Sequence, residues 1–345
     1  MRFADRLVAA WYSPHLTALT AALAPLSPLY AGVAATRAIL YRRQWLHAQR
    51  LPVPVVVIGN VTVGGTGKTP LVAALAEALA ARGWRPGIVS RGYGRAAAAG
   101  AAPLLVTATT GAGVAGDEPL LLARRGFPVA VAVDRVAAAR ALLAAHPDRD
   151  VLLADDGLQH LRLARDVEIA VIDGARGLGN GWRLPAGPLR DAPARLATVD
   201  AVVALVDAAG AAAPGKGGGW PGAWPMTLEG ATFHRVNAPQ LTAGAAAFAG
   251  AGVHALAGIG NPGRFFARLE ALGIRAVAHA FADHHPYTAA DLALPGATAI
   301  LMTEKDAVKC AGFADDRSWY LPVRASIDPA FVALVEEKIR GSQAA

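Results

Sequence analysis

From Pro54 onward, short runs of Val, Ile and Leu without polar alternation are separated by longer stretches of helical spacing. This is the order of parallel strands joined by crossover helices. A run with no polar face belongs to a sheet covered on both sides. The predicted strands cover residues 55–58, 87–89, 129–133, 151–154, 168–172 and 201–206, with helices over 70–82 and 136–145. The pattern resumes with strands at 232–236, 245–249, 275–281 and 299–302, a helix at 262–272 and a closing helix over 328–340 capped by Asp328. Between the two halves lies 208–222, where Pro214, Lys216 and three consecutive glycines give a surface loop. The fold class is therefore α/β, with a boundary near residues 230–245. It gives a core over 41–235 and a smaller α/β unit over 236–345.

The first 40 residues differ. No Asp, Glu, Lys or Arg occurs between Arg6 and Arg37, and Trp11, Tyr12 and Tyr30 lie among many Leu and Ala residues, as near a lipid headgroup layer. Pro14, Pro25 and Pro28 break the stretch, and Arg37, Arg42 and Arg43 follow it. The expectation is a set of helices lying in or dipping into a membrane interface, ahead of plain packing on the core and of a cleaved signal peptide.

Composition narrows the classes. The formal charge is +7, but only five residues are lysine and the arginines are scattered, so no dense block points to nucleic acid. A lone cysteine, Cys310, excludes an internal disulfide and every multi-cysteine metal site.

One segment carries chemistry in its spacing. The strand at 55–58 runs into Thr62-Val63-Gly64-Gly65-Thr66-Gly67-Lys68-Thr69 and then a helix. Glycines there let backbone N–H groups wrap phosphate oxygens, Lys68 reaches the β and γ phosphates, and the Thr69 hydroxyl suits Mg2+. This gives the sheet its type, a P-loop NTPase core. The usual motif asks for glycine at position 62, and Thr62 stands there, so Gly59 or Gly64 must supply the first bend. Asp155 and Asp156 close a buried-type strand, the Walker B position, where a carboxylate holds Mg2+ for the nucleotide. Which of the two does so stays open. Asp117 and Glu118, in Gly-Asp-Glu-Pro, head a helical stretch. They are candidates for the base that orients an acceptor hydroxyl and for a further metal or orienting ligand. His284, in Asp-His-His-Pro-Tyr, could sit beside Asp117. Arg91, Asn180 and Arg183 lie in Gly- or Pro-rich loops suited to an anionic or sugar ligand. The sequence Thr-Glu-Lys-Asp at 303–306 does not support GTP specificity, because its Lys and Asp are adjacent.

Taken together these segments resemble the tetraacyldisaccharide 4'-kinases of lipid A biosynthesis. The matching pieces are GNVTVGGTGKTP (59–70), SRGYGR (90–95), GDEP (116–119), DDGLQH (155–160), GNGWRLPAGPLR (179–190), AGIGNPGRFF (257–266), FADHHPY (281–287) and TEKDAVK (303–309). The resemblance implies a P-loop core joined to a smaller C-terminal unit, with the active site between them and an N-terminal helix on the membrane. It implies transfer of the ATP γ-phosphoryl to the 4'-hydroxyl of a tetraacylated disaccharide 1-phosphate, at the cytoplasmic face of a bacterial inner membrane. By that likeness Asp117 is the catalytic base and His284 its partner, while Lys68, Thr69, Asp155 and Asp156 serve ATP and Mg2+. The partners implied are the lipid substrate and the membrane surface, with no nucleic acid and no obligate protein partner. The rival reading is a peripheral-membrane P-loop ATPase that acts as a switch. Such proteins carry a second lysine early in the loop, and here Lys68 is the only lysine before Lys216.

Overall fold

Every residue of the runs Val55–Gly59 and Val151–Asp155 is buried. Successive side chains on a strand point to opposite faces, so such runs require cover on both. A computed structural model describes residues 3–93, 102–206, 220 and 222–343. Most of the loop expected at 208–222, and Gly94 and Arg95, lie outside these residues.

The larger sheet contains β1 (Val55–Gly59), β2 (Pro86–Ser90), β3 (Leu104–Val106), β4 (Val129–Val131), β5 (Val151–Asp155), β6 (Val167–Asp173), β7 (Ala201–Leu205) and β8 (Trp224–Glu229). Seven strands run parallel in the order β8-β7-β6-β1-β5-β2-β4, and β3 is antiparallel on β4. Val56, Ile58, Leu153 and Ile169 face one apolar layer, which includes Leu71, Leu75 and Leu79 of the helix Lys68–Ala81. Val55, Val57, Leu152 and Ala170 face the other, with Val136 and Leu142 of the helix Arg135–Ala145. The predicted absence of polar alternation thus corresponds to helices on both faces.

The smaller sheet holds β9 (Thr232–Arg235), β10 (Thr242–Gly244), β11 (Val253–Ala257), β12 (Val277–Ala280), β13 (Ala299–Thr303) and β14 (Ser318–Leu321), in the order β10-β9-β14-β13-β11-β12. The strand expected at 245–249 is instead a 3-10 turn, Ala245–Phe248. Its alanines lack the β-branches that favour a strand, and it sends one large side chain, Phe248, into the core.

The smaller sheet begins with Thr232, and the chain leaves it after Leu321 to form β15 (Arg324–Ile327), which pairs antiparallel with β8, Arg324 opposite Glu229. The helix Pro329–Gln343 then buries Phe331, Val332, Val335 and Ile339 in the larger sheet's core. The two crossings between the sheets lie side by side, so close that a Cβ on Gly230 would stand 2.4 Å from the Pro322 carbonyl oxygen.

The N-terminal arm consists of the helices Phe3–Trp11, Ala18–Leu23 and Ser27–Arg42 with a short 3-10 turn before the last. One face meets the loop before residue 190. Trp11 Nε1 donates to the Pro185 carbonyl at 2.8 Å, Ser27 Oγ to that of Arg183 at 2.8 Å and Tyr30 Oη to that of Arg190 at 3.2 Å. A neighbouring face carries Leu26, Leu29 and Val33 at helical spacing, the last two 66 % and 73 % exposed. By length and composition Ala18–Arg42 could cross a bilayer, and only 11 % of its most apolar window is buried.

Because Phe331 is 1 % exposed in the larger sheet's core, Phe331→Ala is expected to cost about 3–5 kcal/mol of stability by urea unfolding. A loss below about 1 kcal/mol would place the closing helix outside that core.

Candidate active site

In an open parallel sheet, ligands gather at the carboxyl ends of the strands where the order reverses. Here β1 lies between β5 and β6, and the loop after Gly59, the Asp155-Asp156 pair and Asp173 all emerge at that edge. Thr62 needs no glycine, because it continues as an extended bridge to Leu189, with the Val63 amide donating to Pro188 at 2.8 Å. The first bend falls at Gly64, at φ +108°, and Gly67, at φ +88°, turns the chain into the helix starting at Lys68. Both values belong to the left-handed region that glycine adopts at low cost. Asn60 braces the loop from within, its side-chain amide donating to the Gly64 carbonyl at 3.3 Å while its oxygen accepts from Arg190.

The two adjacent carboxylates have different surroundings. Asp156 is gripped by Arg190 at 2.8 and 3.1 Å and faces the Lys68 ammonium at 3.7 Å. Burial alone would raise its carboxyl, but Lys68 and Arg190 outweigh burial and hold it well below the ordinary range. Asp155 accepts from the Thr69 hydroxyl at 3.3 Å, and its Oδ1 is buried with no hydrogen-bond partner among the described residues. Burial first, and then the charge of Glu118, push this carboxyl up to about 7. Asp155 therefore has room for a further cation, whereas Asp156 already has two.

Across the cleft, Asp117 begins the helix Asp117–Arg124 after Gly116, whose φ of +91° lets the chain pass the Tyr93 carbonyl. His284 Nδ1 lies 3.0 and 3.1 Å from the two Asp117 oxygens, although 167 residues separate them. Lys305 and Lys309, one turn apart on the helix Glu304–Cys310, each stand 3.8 Å from Asp117 Oδ2. Burial raises the Asp117 carboxyl, but the His284 hydrogen bond and the two ammonium groups prevail and keep it below its usual value. Lys305 also meets Glu118 at 2.9 Å and Asp283 at 3.2 Å. The Gly258-Asn261 turn lies against the glycine loop at Gly65. A Cβ on Gly260 would come within 2.3 Å of the Gly65 nitrogen, and Arg176 donates to the Gly260 carbonyl at 2.7 Å.

The structure thus brings together Thr62 to Thr69, Asp117, Glu118, Asp155, Asp156 and His284 around one cleft. Asn180 and Arg183 lie in the loop that meets the N-terminal arm. Asn180 bonds the Ala186 carbonyl and the Trp182 amide inside its own loop, and Arg183 reaches Ala31 in the N-terminal arm. Arg91 is exposed beyond β2 and its charge is felt by Arg135. His285 faces away, stacked on Phe281 with ring centroids 4.6 Å apart and 3.4 Å from Asp291. Lys305, Lys309 and Arg190 were not singled out from spacing. Their motifs carried the only signal, because the partners of each lie far off in sequence.

The family model described as tetraacyldisaccharide-1-P 4'-kinase matches residues 19–340. A tetraacyldisaccharide 4'-kinase of Dechloromonas aromatica is 51 % identical over 94 % of this chain and 93 % of its own length. One of Alkalilimnicola ehrlichii is 53 % identical over 90 % of this chain and 89 % of its own. Among solved structures, LpxK from Aquifex aeolicus in complex with ATP superposes with a TM-score of 0.71 at 27 % identity, over 93 % of this chain and 99 % of that one. A family match from residue 19 to residue 340, joined to half-identity over nine-tenths of the length, means that the chain belongs to the tetraacyldisaccharide-1-P 4'-kinase family.

Proposed function

We propose that the chain transfers the γ-phosphoryl group of ATP to the 4'-hydroxyl of tetraacyldisaccharide 1-phosphate, a step of lipid A biosynthesis. The observation that carries this reading is the Asp117–His284 pair, 3.0 Å apart, with Glu118 next in the chain acting on Asp155, which binds Thr69. In the transfer the 4'-oxygen forms a bond to the γ phosphorus as the bond to the β,γ-bridging oxygen breaks, and ADP leaves. Backbone N–H groups of residues 62–69 cradle the phosphates and Lys68 balances their charge. An arriving triphosphate competes with Asp156 for Lys68. Asp117 orients the hydroxyl and takes its proton. A carboxylate held below its usual range is a weak base for a free alcohol, so the proton passes late, after bonding to phosphorus has acidified the oxygen.

The residues fit Mg2+. The buried, unpartnered Asp155 Oδ1 lies beside the Thr69 hydroxyl and feels the negative charge of Glu118. These are hard oxygen donors with an unbalanced charge. Asp155 and Thr69 would hold the ion with Glu118 near it, and the ion would neutralise charge on the β and γ oxygens.

The exposed stripe of Leu26, Leu29 and Val33 supports seating on a membrane surface, which is where an acylated sugar resides. We assign the cytoplasmic face of the inner membrane, where ATP is available, with Arg91 at the cleft mouth as a contact for the anionic acceptor.

The deciding assay combines labelled ATP, Mg2+ and the acylated disaccharide 1-phosphate in mixed micelles. Label is expected on the lipid, and hydrolysis without transfer would favour the switch instead. In the same assay Asp117→Asn should lower kcat about 10²- to 10⁴-fold with ATP binding intact, and an unchanged rate would remove its role. Asp155→Asn is expected to raise the Mg2+ concentration for half-maximal activity at least about tenfold, and Asp156→Asn to move it much less. The reverse order would exchange their parts. Leu29→Asp with Val33→Asp should abolish sedimentation with anionic vesicles while leaving ATP binding unchanged. Full retention on vesicles would displace the membrane surface from this face.

A further inference from the structure

Two carboxylates flank His284. Asp117 approaches Nδ1 at 3.0 Å, and Asp283 Oδ1 lies 3.7 Å from Nε2. A histidine so placed could carry a proton on either nitrogen or on both. Beside both Asp283 and the ring stands a third group, the Lys305 ammonium, 3.4 Å from Nε2 and 3.2 Å from Asp283. An ammonium has donors and no acceptor. A proton on Nε2 would point at it, and an imidazolium would set two cations against each other.

We propose that Lys305 is a positioning residue for the transfer step, whose ammonium holds His284 as the neutral tautomer protonated on Nδ1 and thereby fixes the Asp117 carboxylate toward the acceptor hydroxyl. With the proton on Nδ1, the ring donates to Asp117. The other tautomer would turn a lone pair on a carboxylate, and the carboxylate would lose its orientation. The lysine is well anchored for this task. Its side chain is 14 % exposed, Glu118 holds it at 2.9 Å, and Lys309, one turn on, binds Asp306 at 2.9 Å. Asp306 accepts from the Gly258 amide at 3.1 Å, and the Gly258 carbonyl accepts from the His284 amide at 3.2 Å. One helix therefore supports both the imidazole and the backbone that carries it, the latter in a left-handed conformation at φ +60°. Tyr93 closes the remaining side, its ring centroid 4.6 Å from that of His284.

This inference rests on the reading of Asp117 as the proton acceptor, and its test keeps the two apart. In the full chain labelled with 15N-histidine, two-bond 1H–15N correlation separates protonated from bare ring nitrogens, and His284→Gln identifies the signals. The expected pattern is a protonated Nδ1 and a bare Nε2. The opposite pattern in the wild-type protein overturns the proposal, whatever any variant does. Lys305→Met is expected to scramble that pattern and lower kcat about 10- to 100-fold with the KM for ATP within about twofold. Lys305→Arg, which restores a cation, should recover the pattern and most of kcat. A folded Lys305→Met protein with wild-type kcat, or one that loses kcat while keeping the wild-type ring signals, also overturns it. Asp117→Asn at full rate would remove the base and leave the tautomer result standing.

Discussion

Desolvated negative charge is the constraint that the cleft must satisfy. Asp117 and Asp155 are 4 % and 1 % exposed, and Glu118 and Asp156 stand next to them in the chain. Three have cations within 4 Å: Lys305 and Lys309 for Asp117, Lys305 for Glu118, and Lys68 and Arg190 for Asp156. Asp155 has no ion pair of this kind among the described residues, and its carboxyl is the one that rises. Since leaving a buried charge unpaired costs several kcal/mol, the uneven distribution assigns different parts to two neighbouring aspartates that look alike in sequence.

The cations come from separate parts of the chain. Lys68 opens a helix of the larger sheet, Arg190 closes the loop that receives the N-terminal arm, and Lys305 and Lys309 belong to the smaller sheet's helix. These carboxylates therefore have their cation partners only when both sheets are in place. Tyr12 shows how closely the arm is involved, since its hydroxyl donates to Val63 in the phosphate loop at 3.0 Å while its ring receives the Arg176 guanidinium at 4.7 Å. Arg176 in turn holds Gly260 above Gly65.

Local patterns in the sequence revealed what local forces decide. The buried runs, the glycine loop and the Asp-Asp turn were legible because strand burial, backbone conformation and strand-end position depend on neighbours in the chain. Asn180 and Arg183 lie in a loop rich in Gly and Pro, and such a loop looks alike in sequence whether it holds a ligand or its own fold. The cation partners were invisible to spacing, because Lys305 and Asp117 lie on different sheets. Likewise β15, four residues without an apolar run, gave no sign that the chain would return to its first core. The pairing of Asp117 with His284 came from the family likeness, and no physical rule applied to the residues alone would have required it.

The double crossing at Gly230 and Pro322 has a mechanical result. Two strands abreast join the two sheets at neighbouring points rather than at one. Arg268 ties one strand through the Gly230 carbonyl at 2.9 Å, and Arg125 ties the other through that of Val323 at 2.9 Å. The seat of Gly260 on Gly65 and that of His284 beside Asp117 therefore rest on the same two strands.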